Sequence, residues 1–238
     1  MTGAKRLGIL VPSSNTVVEP ETQKLLPPDG SVTTHVSRLK VVQISADDGS
    51  LKQFELDRVL AAAELLADAD VDLILWNGTA ASWLGFERDA DMIHAIEAAT
   101  GIAATTAVIA LNERLGALGA RRIGLVTPYV EALESRIIAN YRAAGFEVAA
   151  SARSNLTENT SYAAIAPATI ADMAREVART PVDAILILCT NLAGASIAAP
   201  LTAELGLPVL DSVVVAIEHS LALLAATGAD KQDAGHGT

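Results

Sequence analysis

A chain of 238 residues that is 51% hydrophobic but only 3% aromatic must build its core from Ala, Val, Ile and Leu, and it is long enough for two compact lobes of about 100 to 120 residues each. Its net charge of −11, with 17 scattered Lys and Arg, argues against a nucleic-acid partner, because counterion release needs clustered cations. No run approaches the roughly 20 apolar residues of a membrane span, and the N-terminus passes into a strand pattern without a cleavable signal, so a cytoplasmic protein is expected.

In chain order, LGILVP at 7–12 is the first apolar run and leads into the polar turn PSSNT at 12–16. A helical period over 55–69 is followed by the strand VDLILW at 71–76 and the turn NGTAAS at 77–82. Next come a helix at 88–100, the strand IAATTAV at 102–108, a helix at 107–119 and the strand RRIGLVTP at 121–128, which ends beside Tyr129. Helical patterns at 130–145 and 167–180 precede VDAILIL at 182–188, the turn CTNLAG at 189–194, a helix at 195–205 and the strand LPVLDSV at 207–213. The tail GADKQDAGHGT at 228–238 reads as disordered.

Strands that are apolar throughout are covered on both faces, and their alternation with helices predicts parallel sheets joined by βα units. The chain also repeats itself: LGILVP matches IGLVTP at 123–128, VDLILWNGT matches VDAILILCT, and residues 99–118 match 204–223. The offsets are 116, 111 and 105. The expected fold is therefore α/β, with two pseudo-symmetric flavodoxin-like lobes. Each lobe is a parallel sheet of about four strands flanked by helices, and the active site lies in the cleft between them. Residues 1–113, with a C-terminal helix returning at 213–238, are expected to form the N-terminal lobe, and residues 114–212 the C-terminal lobe.

One cysteine cannot form an internal disulfide, and the four histidines, among them His35 and His236, lack zinc-ligand spacing. Neither GxGxxG after the first strand nor a phosphate-binding loop is present, so no metal or cofactor is implied. Cys189 ends an apolar strand, where turn N–H groups and a helix end are expected to lower its pKa from about 8.5 toward neutrality, as a proton shuttle requires. A lone strand cysteine is equally a core residue. Tyr129 fits a carboxylate donor or an edge packer, Asn15 and Asn159 fit ligands or turn caps, and Trp76 and Trp83 fit a pocket wall or core.

The run VPSSNTVVEPE, the turn VDLILWNGTAASWLG, the segment through RRIGLVTPYVEALESRI and the late ILCTNLAG together resemble the aspartate/glutamate racemase superfamily, in particular its maleate isomerase and arylmalonate decarboxylase branch. That resemblance implies two lobes with a cysteine from each on opposite faces of a bound carboxylate. The internal repeat places Gly78 in register with Cys189, so the first of those positions is glycine here. Isomerases of this kind use the first cysteine as nucleophile, whereas the decarboxylases have glycine there and protonate an enediolate with the second.

Carried over, Cys189 is the proton donor, while Thr79, Tyr129 and the N–H groups of Ala80 and Thr190 hold the enediolate. Ala80 replaces a serine of the decarboxylase, and Asn15 and Asn159 match isomerase asparagines that contact substrate carboxylates. The resemblance thus implies a cofactor-independent decarboxylase of a malonate-type acid. Its alternatives are a maleate cis-trans isomerase or Asp/Glu-type racemase, and a non-catalytic carboxylate-binding protein. The partner expected is a small carboxylate or dicarboxylate, with a homo-oligomer compatible with the acidic surface.

Overall fold

The computed structural model describes residues 3–44 and 55–233. Two four-stranded, wholly parallel sheets carry the chain. The first has the order β2-β1-β3-β4, with β1 Lys5–Pro12, β2 Val32–Leu39, β3 Leu73–Trp76 and β4 Ala104–Thr106. The second repeats it as β6-β5-β7-β8, with β5 Arg122–Thr127, β6 Glu147–Arg153, β7 Ala184–Ile187 and β8 Val209–Asp211. The helices are α1 Val18–Leu25, α2 Leu56–Ala67, α3 Ala81–Leu84, α4 Glu87–Thr100, α5 Ala107–Ala117, α6 Glu131–Ala143, α7 Asn159–Ala163, α8 Pro167–Val177, α9 Ala195–Leu205 and α10 Ser212–Asp233.

The repeated residues do the same work in both lobes. Asp72 accepts from the backbone N–H of Arg6 at 2.8 Å, and its counterpart Asp183 accepts from Arg121 and Arg122 at 2.7 and 2.8 Å. Each carboxylate thereby ties the start of a third strand to the start of the first. Gly8 and Gly124 are the close-approach points of β1 and β5. A Cβ on Gly8 would stand 3.0 Å from Val71 and 3.2 Å from Leu66 of α2, and one on Gly124 would stand 2.2 Å from Val177 of α8. Thr106 and Asp211 are the matching N-caps: Thr106 Oγ1 accepts from Ile109 N–H at 3.1 Å, and Asp211 Oδ1 accepts from Val213 and Val214 at 2.9 and 3.1 Å.

The central strands β3 and β7 are buried at every position. The edge strands β2 and β6, VTTHVSRL and EVAASAR, are mostly half-buried or exposed. They fall outside the apolar runs read from sequence because an edge strand with one covered face has no continuous hydrophobic signal. The run 102–108 shortens to β4, since Thr106 caps α5 and ends the strand. The C-terminal reading also changes: α10 continues to Asp233, so residues 228–233 are helical rather than disordered, and residues 234–238, with His236, lie outside the described residues. This helix packs against α5, α1 and β3 of the first sheet, and Val213, Ala216, Ile217 and Leu224 join Leu7, Ile9 and Leu75 in one apolar cluster. Among the described residues, no helix is long and apolar enough to cross a membrane.

Candidate active site

The carboxyl ends of β1, β3, β5 and β7 converge on one narrow cavity of about 20 Å³, roughly the room of a single water. The eight residues assigned a catalytic or binding role from the sequence all line it: Asn15, Gly78, Thr79, Ala80, Tyr129, Asn159, Cys189 and Thr190. Pro12, Val41, Ile44, Trp76 and Trp83 complete the wall. Among the described residues, no group of three or more His, Cys, Asp and Glu could hold a metal ion.

Cys189 follows β7 after Leu188 and is 3% exposed. Its carbonyl accepts from Leu192 N–H at 3.1 Å, which closes a tight turn, and its Sγ accepts from Asn191 N–H at 3.4 Å. The expected fall in pKa does not occur. Burial pushes the thiol up to about 11; hydrogen bonds from Tyr129 and the Asn191 N–H pull the other way, and the carboxyl of Asp211 adds to the rise. The physical reason for the correction is desolvation, which outweighs the hydrogen bonds of the turn; α9 begins only at Ala195, so its N-terminus is also separated from the sulfur by irregular chain. Burial therefore favours the thiol of Cys189 over the thiolate at neutral pH. Asp211, also buried, is itself raised to about 7 by desolvation.

Tyr129 emerges from β5 between two aromatic rings, edge-on to Trp83 at 4.9 Å and to Tyr162 at 5.6 Å. That packing fixes its hydroxyl 3.0 Å from Thr79 Oγ1 and within hydrogen-bonding reach of the Cys189 thiol. Burial holds the phenol well above its usual pKa of 10, so it stays a neutral donor. A thiol, a phenol and a threonine hydroxyl from both lobes thus meet at one point.

The asparagines are both cavity wall and lobe-to-lobe fastening. Asn15 Oδ1 accepts from Val17 and Val18 N–H at 2.9 and 3.0 Å, starting α1, while its Nδ2 donates to Thr190 Oγ1 at 3.2 Å. Thr190 in turn donates to the Asn77 carbonyl at 3.1 Å. Asn159 Nδ2 donates to Ser14 Oγ at 2.8 Å, and its own carbonyl accepts from Asn191 Nδ2 at 2.6 Å. Asn191 closes the circuit by accepting from Thr16 N–H at 3.0 Å. Sequence reading passed over Asn191 and Ser14 as individuals, although both stand in the quoted turns CTNLAG and PSSNT.

Gly78 is a close-contact position. A Cβ there would lie 2.5 Å from Cζ2 and 2.7 Å from Cε2 of Trp76, a 1% exposed indole that cannot swing away cheaply. Gly78→Cys alone is therefore expected to overpack the site, lowering stability by roughly 1–3 kcal/mol without creating a working second thiol. Trp76→Leu combined with Gly78→Cys should restore most of that stability. Thermal denaturation of the single and double variants checks this.

The arylmalonate decarboxylase family matches the chain over residues 7–238. A maleate isomerase of Nocardia farcinica is 28% identical over 219 residues, which cover 88% of this chain and 86% of that one. The solved structure of a mutant Nocardia farcinica maleate cis-trans isomerase with a covalently bound succinylcysteine intermediate superposes with a TM-score of 0.83 at 26% identity, covering 94% of each chain. A liganded double mutant of arylmalonate decarboxylase, in which one glycine is replaced by cysteine and one cysteine by serine, has the same fold, with a TM-score of 0.82 at 22% identity and 93% of each chain covered.

Proposed function

The chain belongs to the arylmalonate decarboxylase family, in the aspartate/glutamate racemase superfamily of lyases and isomerases, and we propose from this that it decarboxylates a malonate-type acid with a small substituent, Cys189 protonating the enediolate. The observation that carries the reading is a single buried thiol on one lobe's share of the cavity, pushed toward its protonated form by burial, with glycine at the matching position of the other. On this reading the lobes are residues 1–113 with 213–238, and residues 114–212.

The step balances simply. The bond from the α-carbon to one carboxylate breaks, carbon dioxide leaves, and the electron pair passes into the remaining carboxylate as an enediolate. The hydroxyls of Thr79 and Tyr129 and the N–H groups of Ala80 and Thr190 are the donors proposed to meet its oxygens. The Cys189 S–H bond then delivers its proton to the α-carbon, and solvent reprotonates the sulfur. The amides of Asn15 and Asn159 and the bulk of Trp76 and Trp83 on the wall favour a small or polar substituent over an aryl ring.

Cis-trans isomerisation of maleate is the second reading, favoured by the maleate isomerase relatives and by the amides of Asn15 and Asn159 on the cavity wall. It needs a nucleophile that adds to the double bond, and Gly78 offers none. Proton NMR in deuterated water with methylmalonate, phenylmalonate, maleate and aspartate separates the two. Singly deuterated propionate from methylmalonate is the expected product. Fumarate from maleate with no decarboxylation would overturn the proposal.

The pH dependence has a definite sign. An acid that must be protonated loses activity as pH rises through its pKa, so kcat/KM for decarboxylation should stay level from pH 7 to about 10 and fall as Cys189 ionises near 11. A thiolate nucleophile would give a rate that climbs over the same interval. Thiolate ultraviolet absorbance, followed in the same titration, reports the ionisation independently.

A further inference from the structure

Trp76 does more at this site than fill space. It is the last residue of β3, it lines the cavity, and the benzo edge of its indole is turned to Gly78, with Cζ2, Cε2 and Cη2 nearest; Nε1 is bonded to Cε2 at the end of that edge. Nε1 is buried and has no hydrogen-bond partner. A buried donor left unpaired is destabilising, and tryptophan N–H groups in protein interiors ordinarily find an acceptor. An orphan donor on a residue that lines a cavity, where the other polar groups are engaged with one another, is one that a bound ligand can satisfy once it displaces the packing around the indole.

We propose that Trp76 is a substrate-binding, specificity-determining residue. Its indole N–H donates to a carboxylate oxygen of the bound acid on the first-lobe wall, in the place that the repeat assigns to a second thiol, while its ring limits the substituent to a small group. The inference rests on the carboxylate-site reading above and deepens it. In the first lobe the repeat partner of Cys189 is a glycine with no side chain, and the indole two residues earlier supplies both the bulk and the polar contact there. The two walls then differ in kind: one side gives a proton to carbon, and the other gives a hydrogen bond to oxygen and keeps its proton.

The test uses the full chain labelled with nitrogen-15. Only two tryptophans are present, so the spectrum of Trp76→Phe assigns the Trp76 indole resonance by its disappearance. Titration with malonate, methylmalonate and maleate should move that resonance downfield on saturation. Trp76→Phe, which keeps a ring but loses the N–H, should weaken binding about tenfold or more. Trp76→Leu should raise the ratio of phenylmalonate to methylmalonate turnover relative to the wild type. Should the wild-type protein bind these acids with no movement of the Trp76 resonance, and Trp76→Phe bind them equally well, Trp76 is a packing residue and the proposal fails while the carboxylate site stands. Should none of the acids bind the wild-type protein, the carboxylate-site reading fails and this inference falls with it.

Discussion

Cys189→Ala is expected to lower kcat for decarboxylation by about 10³-fold while leaving ligand binding nearly intact. General acid catalysis by a positioned side chain contributes typically 10²–10⁴-fold, and no other acid is placed to take over. Tyr129 is held well above its usual pKa by burial, and Thr79 is an alcohol, so neither hydroxyl can replace a thiol near 11 as proton source. The side chain is small and lines the cavity, so its truncation should cost the fold no more than about 1 kcal/mol. A thermal shift measured with malonate at 100 times its dissociation constant should stabilise wild type and variant alike by roughly 2.7 kcal/mol. Undiminished turnover in the variant would remove Cys189 from the mechanism. Loss of binding together with turnover would make it a ligand contact instead of the acid.

Tyr129→Phe should reduce kcat by about 10²-fold, with a smaller change in KM. Its hydroxyl touches both Thr79 and the Cys189 thiol, so on the proposed mechanism it stands where charge develops on oxygen and beside the group that supplies the proton. Removing one preorganised donor of this kind costs about 10²–10³ in kcat. The ring keeps its edge contacts with Trp83 and Tyr162, so the fold should change little. A readout specific to the hydroxyl comes from the thiol: the Tyr129 hydrogen bond acts against burial, so the Cys189 ionisation should move still higher in the variant. An increase confined to KM would assign Tyr129 to ground-state binding alone.

The elements that sequence made visible are those whose burial leaves a pattern. β1, β3, β5 and β7 are runs of Val, Ile and Leu because both faces are covered, and α9 appears at its observed bounds of Ala195–Leu205 because Gly206 stops it in a left-handed conformation, φ 68°. β2 and β6 escaped because their one covered face is interrupted by Thr, His, Ser and Arg on the other. The repeat, by contrast, was explicit: its aspartates, its glycines and its helix caps recur because each lobe solves the same packing problem with the same residues.

What the sequence determined by itself was which residues would stand at the ends of equivalent strands. Parallel βα topology delivers those ends to one side of each sheet, so Asn15, Gly78, Thr79, Tyr129, Cys189 and Thr190 could be grouped before any coordinates. Only the tertiary structure decided their chemical state and their partners. Whether Cys189 is thiol or thiolate depends on how much water reaches it and on how far the next helix end lies, and burial wins over the local turn. Whether Trp76 is core or wall depends on the ring's path across Gly78, and whether Asn191 is a turn residue or a fastening depends on Thr16 arriving from the other lobe. Desolvation and contacts across more than a hundred residues of chain are properties of the assembled interior, and no local pattern encodes them.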